Sequence, residues 1–230
     1  WFKFGGVEFF KTQAALALSE EDAWNNRTSI YLGSSAAAEF IADIFLCPLE
    51  ATRIRLVSNP SFASGLVSGA ARLVREDGVL KGFYSGFGPI LLKQVPYTMA
   101  KFAVQGAAAE VISYNLLGRE LSTLTGAAKL GVSLSSGVIA GVAAAVISHP
   151  ADTLLSKVNK AGAGGDGPIF TRLGRIASEI GLFKLMTVGL GARCVMIGTL
   201  TAGQFLLFDI VMDITGAEKF HFHQPGTAHH

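Results

Sequence analysis

Pro48-Leu49-Glu50-Ala51-Thr52-Arg53-Ile54-Arg55 closes a long apolar segment that begins near Thr28, and Pro150-Ala151-Asp152-Thr153-Leu154-Leu155-Ser156-Lys157 closes another one 102 residues later. Proline has no N–H to donate and its ring crowds the preceding turn, so within a helix it predicts a kink. In both copies an acid stands two residues after the proline and a base seven residues after it. The same device at the ends of two apolar runs points to an internally repeated helical protein.

Composition supports a membrane setting. Of 230 residues, 50% are hydrophobic and only 16% charged, with 27 glycines, which is too apolar and too glycine-rich for an average soluble domain. Small residues let membrane helices approach closely, and Gly137 with Gly141 supplies one such spacing. The net charge of +2 is small and unclustered, which argues against nucleic acid as a partner. Cys47 and Cys194 lie in apolar surroundings without metal-type spacing, so free thiols are expected. No nucleophile with a base and no phosphate-cradling loop suggests an enzyme, and nothing suggests a cofactor or a metal site.

The chain opens without a cleavable signal: Trp1-Phe2-Lys3-Phe4-Gly5-Gly6-Val7-Glu8-Phe9-Phe10-Lys11 reads as the last turns of a helix already under way, as if the numbering began inside a longer protein. Ser19 to Arg27 reads as a polar connector. The segment from Thr28 to about Ser58 is long enough to span a bilayer, which takes about 20 helical residues. Phe62 to Glu76 follows a helical period with Phe62, Leu66, Ala70 and Leu73 and reads as an amphipathic surface helix. Gly78 to Gly88 is expected as a glycine-punctuated turn, Pro89 to about Leu117 as a second apolar segment, and Gly118 to Thr125 as a loop. Gly126 to Lys160 is the next long apolar segment, Gly162 to Gly167 a linker, Ile169 to Ile180 a second surface helix and Gly189 to Thr215 the last apolar segment. The final residues read as a solvated tail, whose His221, His223, His229 and His230 are tail composition rather than a metal site.

A shift of 103 residues carries Gly78 onto Gly181, Lys81 onto Lys184, Gly86 onto Gly189, Gly88 onto Gly191, Thr98 onto Thr201 and Phe102 onto Phe205. Lys3-Phe4 aligns with Lys101-Phe102 and Gln204-Phe205, so the opening fragment joins the pattern. The expected organisation is residues 1–18 as the end of a first repeat, 27–117 as a second, 126–216 as a third and 217–230 as a tail. Each complete unit is a proline-kinked helix, a short surface helix, a glycine turn and a second helix.

The motif Pro-x-acid-x-x-base-x-base resembles that of the mitochondrial carrier family. The likeness extends through Ala36 to Asp43, Cys47 to Ser58, Gly82 to Pro89, Lys93 to Thr98, His149 to Lys160 and Gly198 to Phe205, stretches that look like those of its phosphate-transporting members. The resemblance implies an all-α membrane protein of the mitochondrial carrier fold, with three pseudo-threefold repeats around a central cavity and the first repeat largely missing from this chain. It further implies a multi-pass protein of the mitochondrial inner membrane, with inorganic phosphate, protons and membrane lipids, cardiolipin among them, as partners. The matrix gate falls on Pro48, Glu50, Arg53, Pro150 and Asp152, although Leu155 stands where a second base is expected. The cytoplasmic gate keeps only Glu8, Lys11 and Asp209, so a weak gate is expected at that end.

Polar positions that differ between repeats are where an asymmetric ligand is read. Glu39 faces Gly141 and Asp43 faces Ala145 in the register of the kinked helices; Lys93 faces Met196, Gln94 faces Ile197, Lys101 faces Gln204 and Arg193 faces Ile90 in the register of the partner helices. Glu39 and Asp43, four residues apart, share a helical face, and a charge exposed to lipid costs several kcal/mol, so both should face protein or water. Lys93, Gln94, Lys101, Arg193 and Gln204 are the expected substrate-binding set, because ammonium and guanidinium groups offer opposite charge and donors to an anion. Glu39 and Asp43 are the expected proton-coupling pair, against a plainer reading in which they pair with lysines to hold the bundle together. Two functions stand at this point. One is phosphate/proton symport, or phosphate/hydroxide exchange, by alternating access; the other is a carrier-derived structural subunit of a larger inner-membrane complex, with transport reduced or lost.

Overall fold

In a computed structural model, which describes residues 2–158, 169–217 and 219–222, all the regular secondary structure is helical. The Gly162–Gly167 linker and the tail residues His223, His229 and His230 lie outside the described residues. The α-helices are α1 (Phe2–Leu16), α2 (Glu20–Asn25), α3 (Arg27–Ser58), α4 (Leu66–Asp77), α5 (Val79–Tyr84), α6 (Phe87–Val111), α7 (Gly126–Val158), α8 (Ile169–Ile180), α9 (Leu182–Thr187) and α10 (Leu190–Thr215). Three stretches, Arg27–Ser58, Gly126–Lys157 and Phe183–Thr215, are long and apolar enough to cross a membrane. The bundle is an arc in which α1 packs on α3, α3 on α6, α6 on α7 and α7 on α10. Its two ends meet where the Phe4 ring touches those of Phe205 and Phe208, at 5.1 and 5.0 Å between centroids.

Both proline helices run on through the proline, α3 for 32 residues and α7 for 33. Pro48 cannot donate to the carbonyl of Ile44, four residues back, and the Tyr84 hydroxyl donates to that carbonyl instead at 3.0 Å. The residue before each proline ties the helix to the chain leading into the next long helix. Cys47 Sγ donates to the Phe83 carbonyl at 3.0 Å, and His149 Nε2 lies 3.1 Å from the Val188 carbonyl oxygen. Below the prolines, Thr52 and Thr153 donate to the carbonyls of Pro48 and His149, at 2.8 and 2.9 Å.

The connections are more helical than the sequence reading. The polar connector contains α2, capped by Ser19, whose hydroxyl accepts from the Asp22 N–H at 3.1 Å. The glycine-punctuated turn contains α5, entered through Gly78 at φ 77°, a value a side chain would resist. Gly181 enters α9 at φ 79°, so the 103-residue register holds in backbone geometry as well as in residue type. The first surface helix starts at Leu66 rather than Phe62. Phe62 sits ahead of it, buried, with the guanidinium groups of Arg72 and Arg55 over its ring at 4.7 and 5.4 Å. Beyond Val111 the second apolar segment continues as a π-helical stretch, Ile112–Leu117.

Small residues set the helix spacing where the sequence placed them. A Cβ on Gly137 would lie 2.7 Å from Ala202 Cα, and one on Gly141 would lie 2.7 Å from both Gly198 Cα and the Ile197 carbonyl oxygen. Between membrane helices, where lipid is as apolar as leucine, such close contact is the main source of association. Gly141→Leu should therefore separate α7 from α10 at a cost of about 1–3 kcal/mol or more, seen as a lower apparent melting temperature in detergent. Gly203→Ala, with nothing within 4 Å of the new methyl group, should leave the melting temperature unchanged.

Candidate functional site

The side of α3 that carries Glu39 and Asp43 is turned into the bundle, and both residues are fully buried. Glu39 is held from two helices: Lys3 of α1 approaches Oε1 with Nζ at 2.5 Å, and Thr98 of α6 donates to Oε2 at 2.7 Å. Asp43, one turn further along α3, has neither carboxylate oxygen hydrogen-bonded among the described residues. On the facing wall Lys101 of α6 donates to Oε1 of Gln204 of α10, while its ammonium lies over the Phe4 ring at 4.7 Å and the Phe205 ring at 5.4 Å. Between them lies a cavity of about 560 Å³ whose polar lining is Lys3, Gln94, Tyr97, Thr98, Lys101 and Gln204; Glu39 and Asp43 are not part of that lining, and Glu39 reaches it through Lys3 and Thr98.

Lys93 and Arg193 are placed elsewhere. Both bind Asp152 of α7, Lys93 through Oδ1 at 3.0 Å and Arg193 through Oδ2, and Arg193 also reaches the Ser148 hydroxyl at 3.1 Å. Asp152, expected in a gate, thus bridges α6, α7 and α10 by holding two of the expected substrate cations. Glu50 pairs along its own helix with Arg53, at 3.6 Å and with Arg53 largely exposed, an arrangement worth little by itself. Leu155, at the site of the absent base, is partly buried against Leu173 and Ile176 of α8, so an apolar contact takes the place of a charge.

The opposite end of the bundle is closed. Phe4, Phe102 and Phe205, one from each repeat, meet edge to face with centroids 5.0 to 5.5 Å apart, a favoured geometry for aromatic rings. Beyond them Glu8 pairs with Lys11 at 2.6 Å, Arg27 of α3 with Glu110 of α6 at 2.9 Å, Lys129 of α7 with Asp213 of α10 at 2.5 Å, and buried Asp209 with Lys219 of the tail. At this end, bases and acids outside the motif add ion pairs to the one that the motif supplies. Lys219 lies beyond the spanning helices, and burial pushes its ammonium down to about 7, with Glu8 opposing the shift and Lys11 and Lys129 adding to it.

Of the expected substrate set, then, Gln94, Lys101 and Gln204 share the cavity, whereas Lys93 and Arg193 meet at Asp152. Sequence reasoning left Lys3 and Thr98 out of the site. Lys3 carried a signal, its alignment with Lys101 and Gln204, but which helix it would meet was not legible from that register. Cys47 and Cys194 are free thiols, as expected.

The family model for the mitochondrial carrier protein matches residues 25–115 and 126–219. Mitochondrial substrate carrier family protein N of Dictyostelium discoideum is 48% identical over 94% of this chain and 72% of its own length. A probable mitochondrial phosphate carrier protein of Schizosaccharomyces pombe is 41% identical over 90% of the chain, and a mitochondrial phosphate carrier protein of Caenorhabditis elegans 41% over 91%. The chain spans 66% and 59% of the length of these two relatives. The chain belongs to the mitochondrial carrier family, whose members are transporters rather than enzymes, and it is a multi-pass protein of the mitochondrial inner membrane.

The shared anion at the proline end has a measurable consequence. Asp152→Ala leaves Lys93 and Arg193 facing each other as like charges and should cost about 1.5–3 kcal/mol, the usual range for charge-assisted hydrogen bonds. Arg193→Met added to Asp152→Ala should recover part of that loss, since one of the two unpaired like charges is removed. Thermal unfolding of the three proteins in detergent gives the order.

Proposed function

We propose that this chain belongs to a carrier that moves inorganic phosphate together with a proton across the inner membrane by alternating access. The observation that carries the proposal is the cavity wall on which two ammonium groups, Lys3 and Lys101, and the amides of Gln94 and Gln204 stand beside the Glu39–Asp43 pair. The printed names of the S. pombe and C. elegans relatives support phosphate as the anion.

The coupling follows from the partners. While Glu39 is ionised it holds Lys3, and the lysine is not available to an anion. A proton taken up by the Glu39–Asp43 pair cancels charge at this point, frees the Lys3 ammonium and leaves it with Lys101 to meet phosphate through charge-assisted hydrogen bonds. Gln204, which now accepts from Lys101, turns its amide N–H groups to the same ligand when the lysine is taken. Proton and phosphate therefore enter as a unit, which spares the apolar bundle an uncompensated charge. Opening the far end requires the phenylalanine trio to part and its ion pairs to break.

Phosphate uptake into proteoliposomes driven by a pH gradient tests this reading. Lys3→Ala and Lys101→Ala should each lower uptake by roughly tenfold to a hundredfold, as expected for loss of a charge-assisted contact worth about 1.5–3 kcal/mol. Asp43→Asn should abolish the dependence on the pH gradient while phosphate/phosphate exchange persists. Absence of uptake by a correctly folded protein would favour the structural-subunit role instead.

A further inference from the structure

Asp209 poses a problem that its own helix does not solve. The carboxylate is buried, only 2% exposed, and the gate motif calls for a base three residues later, where α10 has Met212. The corresponding acid on α1, Glu8, does have its base, Lys11, at that spacing. A buried carboxylate without a counter-charge is costly, so a counter-charge must come from elsewhere.

It comes from the tail. Gly216, in the left-handed region at φ 65°, ends α10, and the Ala217 N–H returns to the Met212 carbonyl at 3.0 Å, a closure that reverses the chain. Lys219 then points back along α10, pairs with Asp209 and lies 4.9 Å over the Phe208 ring. The following aromatics anchor it. Phe220 and Phe222 contact each other at 5.2 Å, and Phe222 packs edge-on against Tyr31 of α3 at 5.5 Å. Phe222 is buried in one cluster with Ala15 of α1, Ala23 of α2 and Ile30 of α3, with Phe220 packed against it, and Lys11 lies 6.0 Å over the Phe220 ring. A segment of four residues therefore ties α10, the last helix of the arc, to α1, α2 and α3 at its start.

We propose that Lys219 is a gate residue, the base that α10 lacks, and that the tail segment Lys219–Phe222 is a latch that must leave its seat before this end of the bundle can open. The latch rests on the transport reading only for its purpose; its seating is a separate property and is read separately. Because it crosses between the two ends of the arc, the helices cannot part there while it is docked. The lysine fixes the segment to the gate acid and the two phenylalanines supply the apolar contact.

The test uses the whole chain in detergent, with Cys47 and Cys194 replaced by serine and Ala15→Cys, beneath the latch, as reporter for a bulky maleimide. Lys219→Gln should raise the labelling rate roughly tenfold, as expected for a local opening made easier, and Phe220→Ser with Phe222→Ser should do the same. Asp209→Asn should also raise it, and combining it with Lys219→Gln should add little, as for two halves of one interaction. Labelling that none of these substitutions changes overturns the latch, and effects of Lys219→Gln and Asp209→Asn that simply add overturn the pairing. In proteoliposomes, Met212→Lys should restore to Lys219→Gln any phosphate uptake the latter loses; an uptake loss that Met212→Lys leaves untouched removes Lys219 from the gate. A labelling shift in a protein that moves no phosphate leaves the latch standing and counts against the transport reading alone.

Discussion

A carboxylate buried in an apolar helix bundle must be met by donors or a proton, and much of this structure is organised around that requirement. Glu39 draws α1 and α6 onto α3 through Lys3 and Thr98. Asp152 draws α6 and α10 onto α7 through Lys93 and Arg193. Asp209 draws the tail back across the end of the bundle through Lys219. Each acid is a junction between elements that apolar packing alone would leave free to slide, since lipid offers methyl groups as good as any the protein supplies. Asp43, without a hydrogen bond among the described residues, is the exception, and it is one member of the pair that takes up the proton in the proposed mechanism.

The repeats divide the labour between architecture and chemistry. What they share is backbone: the proline, the tie from the preceding residue to the chain ahead of the next long helix, the left-handed glycine before the short helix, and the ring of phenylalanines. Where they differ, one repeat has given up polarity for packing. Gly141, the counterpart of Glu39, lies against α10 so closely that even a methyl group would collide. Leu155, the counterpart of Arg53, belongs to the apolar contact with α8. Polar function on α3 and close packing on α7 are alternative uses of the same positions, which gives a pseudosymmetric scaffold an asymmetric cavity.

The two ends of the bundle differ for a related reason. At the proline end, the bases that could bridge helices are engaged by Asp152 or exposed beside Glu50. At the other end three rings and four ion pairs lie in series. Large apolar residues such as Ile147 and Leu207 are exposed, as expected for helices whose outer faces meet hydrocarbon.

The sequence by itself determined the helical class, the membrane setting and the repeat, because apolar run length, proline position and glycine spacing are local properties that survive without coordinates. Because they break the internal symmetry, it pointed to Glu39, Asp43, Lys93, Gln94, Lys101, Arg193 and Gln204 as places to seek chemistry. Only the tertiary structure decided which charges meet. Arg27 and Glu110 are 83 residues apart and Lys129 and Asp213 are 84 apart, and no periodicity links such positions. Lys93 and Arg193 were drawn to Asp152 rather than to the cavity, Lys3 entered it from α1, and Lys219 reached Asp209 because Gly216 turned the chain. A charge chooses its partner by distance and burial, and both exist only once the helices have packed.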